Sequence, residues 1–291
     1  MQTFDTIKNY YKMTKPGIVR MTLITVSIGF YLGSMGVFYP YKVYIALLLG
    51  TFLVASACGI LNSVVESDLD KLMERTKNRP IPQGLIDKKP AIVLAVVFAF
   101  FGLLFHFVWV NMVTMLISAI TLVLYIFVYT PLKKRTWLNT LVGSIPGALP
   151  ILGGWTAATN SVDAYAGMLF FVLFAWQQPH FYALAIMYKD DYARGGFKML
   201  PVLDNSGWKT KQQILIYTIL MVFVSVFPYM FGLLGEIYCV GVLLIGFSMF
   251  YFGIQICREY TFKNAKKLFF SSIIYLPIWF VLMVLDFLIL S

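Results

Sequence analysis

Charged side chains are scarce: Asp, Glu, Lys and Arg together make up 12% of the 291 residues, about half the share of an ordinary soluble domain. So few charges cannot solvate a globular surface, which excludes a soluble enzyme. Lys and Arg outnumber Asp and Glu by 23 to 13. The excess falls in short clusters between apolar runs, which excludes a nucleic-acid footprint and fits loops facing an anionic membrane leaflet. Cysteine is equally sparse, and Cys58, Cys239 and Cys257 lie in apolar runs with no metal-knuckle or disulfide spacing, so they read as packing residues. What is abundant is apolar, at 60% hydrophobic residues with 26 Phe and 18 Tyr.

Spanning ~30 Å of hydrocarbon takes about 20 apolar residues in a helix, and nine runs of that length appear, near 18–36, 43–65, 91–109, 112–131, 138–158, 165–187, 213–234, 237–256 and 268–290. The reading is an all-α membrane protein with a single nine-helix domain over 18–291, preceded by a segment over 1–17. Every Lys and Arg except Lys42 falls on one side of this topology, which puts the amino terminus in the cytoplasm and the carboxyl terminus outside. Residues 1–17 mix Lys8, Lys12 and Lys15 with Phe4, Ile7, Tyr10 and Tyr11, the pattern of a basic amphipathic helix on the inner leaflet. A secretory signal fits less well, because the next apolar run is too long and no small-residue cleavage site follows. The lack of an Arg- and Ser-rich leader points to a bacterial plasma membrane.

Two acidic clusters share the cytoplasmic side. Asn62, Glu66 and Asp70 are spaced i, i+4, i+8 at the end of the second span, within about 80° of one helical face. Two carboxylates stacked near membrane depth repel unless a hard cation sits between them, and Mg²⁺ keeps few protein ligands while completing its shell with phosphate oxygens. Arg75, Lys77 and Arg79 follow at once. The alternative is a solvated helix end before a basic loop. The sixth span ends in Tyr188-Lys189-Asp190-Asp191-Tyr192-Ala193-Arg194, either an ordinary charged loop or a second carboxylate site. Asn62 and Asp190 lie four spans apart, which suggests a parallel repeat of four helices. Two facing metal-carboxylate sites suit a diphosphate.

Tyr129-Thr130-Pro131 should end the fourth helix beside Lys133, Lys134 and Arg135, a topology signal or an anion clamp. Trp137 reads as an interfacial anchor. Trp176-Gln177-Gln178-Pro179-His180 sets polar side chains deep in the sixth span, where His180 serves either a substrate or a neighbouring helix. His106 reads as structural. Gly143 to Gly154, with Pro146 and Pro150, should kink and pack closely.

The segment Asn62 to Pro80 resembles the first aspartate-rich motif of the UbiA-type membrane prenyltransferases, and is most similar to their haem O synthase branch. Trp176-Gln-Gln-Pro-His-Phe-Tyr-Ala-Leu-Ala, Tyr188-Lys-Asp-Asp-Tyr-Ala-Arg-Gly-Gly-Phe-Lys-Met-Leu-Pro201, Thr14-Lys15-Pro16 and Trp137-Leu-Asn139-Thr fit the same branch. Ser63 and Glu66 depart from it, where a second Asn and an Asp are usual. The resemblance implies a nine-helix bundle around a central cavity. It implies a Mg²⁺-dependent transfer of farnesyl from farnesyl diphosphate to a vinyl group of haem B, with hand-over to a haem A synthase or oxidase assembly factors. Asn62, Glu66 and Asp70 would hold one Mg²⁺, Asp190 and Asp191 another. Arg75, Lys77, Arg79, Lys133, Lys134 and Arg194 would meet the diphosphate or the haem propionates, with His180 and Tyr129 as further substrate contacts. Rivals are a prenyltransferase for an aromatic quinone precursor and a secondary transporter, though a transporter would more naturally place its acidic residues at the midplane.

Overall fold

The computed structural model describes residues 2–290, and among these there is no strand. Nine of the described helices are long and apolar enough to cross a membrane: Pro16–Gly33, Tyr41–Val65, Lys88–Trp109, Met112–Leu132, Asn139–Thr159, Ala164–Met187, Trp208–Met230, Glu236–Arg258 and Phe262–Ile289. These are the nine runs expected from the sequence, with the seventh and ninth helices starting earlier because their polar first turns continue the backbone hydrogen bonding. The protein is a multi-pass membrane protein. Its third span leaves Val96, Val97, Phe100 and Phe101 exposed, as a helix facing lipid does.

Helix neighbours recur four helices on. The second span packs on the third as the sixth does on the seventh, and the fourth on the fifth as the eighth does on the ninth. The second and sixth spans also end alike, each broken by one residue before a short helix, Ser67–Asp70 after Glu66 and Lys189–Arg194 after Tyr188. Between the first and fifth spans the backbones touch: a Cβ on Gly29 would overlap the Ile151 carbonyl, and one on Gly154 the Val26 carbonyl. Small residues are what permit such an approach where no hydrophobic effect drives helices together. Pro146 and Pro150 lie inside one continuous helix.

Polar side chains bolt other spans together. His106 is fully buried and bonds Ser118 Oγ through Nδ1 at 2.9 Å, with Thr51 Oγ1 3.4 Å from Nε2. Tyr238 receives the Trp279 indole N–H at 2.9 Å and donates to the Ser225 carbonyl at 2.8 Å, tying the last three spans. The cysteines are free, and Trp137 packs against the main core.

The amino-terminal helix, Gln2–Met13, sets Tyr10 and Met13 against Ile60 while Ile7 and Tyr11 stay exposed. The chain then reverses at Lys15, whose φ of 57° lies in the left-handed region. Gly59 leaves room for the Thr14 carbonyl to rest on the second span. The fourth span widens into a π turn over Leu124–Tyr129. Thr130 spans that turn by donating to the Tyr125 carbonyl at 2.8 Å, and the helix stops one residue after Pro131.

Candidate active site

A cavity of about 500 Å³ lies among the first, second, fourth, fifth and sixth spans. Its depth is apolar, with Val26, Leu47, Val54 and Leu173 in its wall. One end is polar and lined by Lys15, Asn62, Glu66, Asp70, Arg79 and Lys133, with Arg75 at the same end. The i, i+4, i+8 spacing survives the break at Glu66, because the i to i+4 backbone bonds run across it, from Glu66 N–H to the Asn62 carbonyl at 3.0 Å and from Asp70 N–H to the Glu66 carbonyl at 2.8 Å. Asn62, Glu66 and Asp70 are 1%, 5% and 0% exposed.

Each member of this column meets a cation from elsewhere in the chain. Lys15 donates to Asn62 Oδ1, Lys133 to Glu66 Oε1 at 2.7 Å and Arg79 to Asp70 Oδ2 at 2.7 Å. Asn62 Nδ2 donates to Thr130 Oγ1 at 3.1 Å, which fixes its amide so that Oδ1 faces the lysine. Asp70 Oδ1 is buried and unpartnered among the described residues. Burial alone would raise the Glu66 carboxyl, but the Lys133 and Lys15 ammonium groups hold it below the usual carboxylate range. Burial pulls Lys133 down and Glu66 outweighs it, so Lys133 rises and the pair stays ionised at neutral pH. Lys15 falls to about 7, through burial first and then the Arg79 charge.

Aromatic rings flank these cations. The Lys133 ammonium sits 4.6 Å from the centre of the Tyr129 ring, and the Tyr125 and Tyr129 rings lie 5.4 Å apart on the cavity wall. Arg75 lies over the Tyr188 and Tyr192 rings at 5.3 and 5.7 Å. Deeper, His180 lines the cavity between Trp176 and Phe269, with centroids at 5.0 and 4.9 Å. Its Nδ1 meets Ser272 Oγ at 2.7 Å. Because that hydroxyl donates to the Phe269 carbonyl, Nδ1 carries the hydrogen and Nε2 is left with its lone pair.

Asp190 and Asp191, read from the sequence as a second ligand pair, are placed differently from each other. Asp190 is exposed and outside the cavity lining. Asp191 is buried, but its oxygens accept the backbone N–H groups of Glu74 at 3.0 Å and Arg75 at 3.1 Å, together with the Arg194 side chain. It pins the loop after the second span to the loop after the sixth. Burial would raise its carboxyl, yet these donors hold it below the ordinary range. Asn139 does similar work, donating to the Lys198 carbonyl at 3.1 Å while the Lys198 N–H meets the Lys133 carbonyl at 2.7 Å. Lys77 pairs with Glu74 at the surface, Arg194 is half exposed and Lys134 is exposed, so none of these three reaches the cavity.

Sequence reasoning passed over Lys15 and Tyr125 as site residues. The local signs of Lys15 are its place in the Thr14-Lys15-Pro16 match and the proline after it, which disfavours a helical conformation at that position.

A lipid-embedded apolar cavity closed at one end by carboxylates and cations defines a membrane enzyme for amphiphiles with an anionic head. The chain belongs to the UbiA prenyltransferase family, whose model matches residues 22–276. It is 38% identical over 288 residues to a protoheme IX farnesyltransferase of Solibacter usitatus, covering 96% of this chain and 99% of that one. The fold matches a digeranylgeranylglyceryl phosphate synthase with a TM-score of 0.82 at 16% identity, over 97% and 99% of the two chains. It also matches a UbiA homologue from Archaeoglobus fulgidus bound to DMAPP and Mg²⁺, with a TM-score of 0.68 at 15% identity over 94% and 99%.

Proposed function

We propose that this chain transfers the farnesyl group of farnesyl diphosphate to a vinyl group of haem B, giving haem O. The observation that carries the reading is the meeting, at one end of an apolar cavity, of the Asn62, Glu66 and Asp70 column with Lys15, Arg79 and Lys133. The full-length likeness to a relative named protoheme IX farnesyltransferase supports haem as the acceptor.

Two carboxylates and one amide offer an oxygen donor set that fits Mg²⁺, and the buried Asp70 Oδ1 has no partner among the described residues. A neighbour in fold that binds DMAPP and Mg²⁺ supports the same metal here. Bound Mg²⁺ would neutralise charge on the departing diphosphate. Asn62, Glu66 and Asp70 would hold the metal, and Lys15, Lys133 and Arg79, with Arg75 at the same end of the cavity, would meet the phosphate oxygens. The apolar wall keeps water from the allylic cation, while Tyr125 and Tyr129 present ring faces to it. The terminal vinyl carbon bonds farnesyl C1, the diphosphate leaves, and water adds to the adjacent carbon with loss of a proton. His180, on the deeper wall, serves the haem side.

The cation distribution supports an orientation with the site toward the cytoplasm. The test is to incubate purified protein with Mg²⁺, farnesyl or geranylgeranyl diphosphate, and either haem B or an aromatic quinone precursor, then weigh the products. Haem B should gain one farnesyl group and one hydroxyl group. Prenylation of the aromatic acceptor alone would refute the reading.

A further inference from the structure

We propose that a second, basic pocket beside the site binds a carboxylate of the acceptor porphyrin, an assignment that rests on the haem reading above. A cavity of about 270 Å³ lies between the end of the amino-terminal helix, the second span and the loop after it, with Lys12, Lys15, Ser63, Asn78 and Arg79 in its wall. Three cations line it and no carboxylate does. The main cavity, by contrast, carries Glu66 and Asp70.

Lys15 and Arg79 line both cavities, so the two adjoin at these residues. An anion held in the second pocket, while its parent molecule fills the main cavity, has to sit on a short stem. A porphyrin propionate is such a group. The diphosphate fits the other cavity, because Asn62, Glu66 and Asp70 line the main cavity and not this one.

Donors remain to hold the carboxylate. Lys15 uses one N–H on Asn62 and Arg79 one on Asp70, which leaves two on the ammonium and four on the guanidinium. Lys12 forms no ion pair among the described residues, and all of its donors are free for a ligand. Ser63 turns its hydroxyl back to the Gly59 carbonyl at 2.8 Å, so its short side chain leaves the pocket deep.

Iron mesoporphyrin tests this directly, since ethyl groups replace its vinyls and binding is read without reaction. The full chain, in detergent free of anionic lipid to remove headgroups as rivals, is titrated with the diacid, its dimethyl ester, and farnesyl diphosphate with Mg²⁺. The native protein should prefer the diacid by about tenfold or more, the scale of one charge-assisted hydrogen bond. Lys12→Glu, and separately Lys12→Ala, should shrink that preference to about twofold or less without changing farnesyl diphosphate affinity. A native protein blind to esterification, a preference that persists in both variants, or a loss of diphosphate affinity instead would overturn the assignment. Haem B turnover measured in parallel separates the two readings. Turnover with no acid preference removes only the pocket, whereas acid preference without turnover removes only the reaction.

Discussion

At the residue scale, each member of the Asn62, Glu66 and Asp70 column meets one cation, so a substitution acts on stability and on activity by separate routes. Glu66→Gln leaves the buried Lys133 ammonium without its countercharge, which should cost about 3–5 kcal/mol and show as a fall in melting temperature. Adding Lys133→Met should recover the melting temperature and not the activity. Glu66→Asp should keep substantial activity, because it retains a carboxylate for both the lysine and the metal. Asp70→Asn and Asn62→Ala should fold and lose most turnover. His180→Phe should keep the stack between Trp176 and Phe269, weaken haem binding and leave farnesyl diphosphate binding intact. Calorimetry with each ligand decides this, and the opposite pattern would reverse the assignment. The column was legible in the sequence because it lies on one helix with a fixed period. Of its cations, Arg79 and Lys133 were legible only within a pool of candidates and Lys15 not as a site residue, since the three arrive from separate segments whose meeting depends on tertiary structure.

At the element scale, the contact between the first and fifth spans depends on which glycine faces inward. Gly154→Ala should destabilise the protein by several kcal/mol, because its Cβ would overlap the Val26 carbonyl and backbone cannot yield as a side chain can. Gly153→Ala, whose Cβ would find only Ile117 at 3.9 Å, should be neutral or stabilise by up to about 1 kcal/mol. Melting curves of the two variants check the pair. The loop pin makes a pH-dependent counterpart. The Asp191 carboxyl is held below its ordinary value of about 3.9, so its contribution is complete above that pH and lost as pH falls through the lower folded value. Asp191→Asn should therefore lower the melting temperature at neutral pH, by the equivalent of about 1–3 kcal/mol, with the gap to the native protein closing in acid. The nine spans were legible because run length alone defines a membrane helix. Asp191 was legible as a motif but not as a pin, since its partners are backbone groups of a loop more than a hundred residues away. The π turn at Leu124–Tyr129 carries no distinct residue pattern.

At the scale of the whole molecule, the four-helix repeat brings the ends of the second and sixth spans to one face, and the loops pinned by Asp191 and Asn139 lie beside the polar end of the cavity. The repeat places two similar motifs: Asn62, Glu66 and Asp70 of the first line the cavity, and Asp191 of the second bonds the loop at its rim. The central claim is that the first motif, with a divalent cation, drives prenyl transfer to haem at that end. The most direct measurement is the mass-resolved rate of haem B farnesylation by native protein and Asp70→Asn, each with Mg²⁺ and with excess chelator. The account predicts product from the native protein with Mg²⁺, little from the variant, and none from either in chelator. Equal rates with and without chelator, or full turnover by Asp70→Asn, would contradict it.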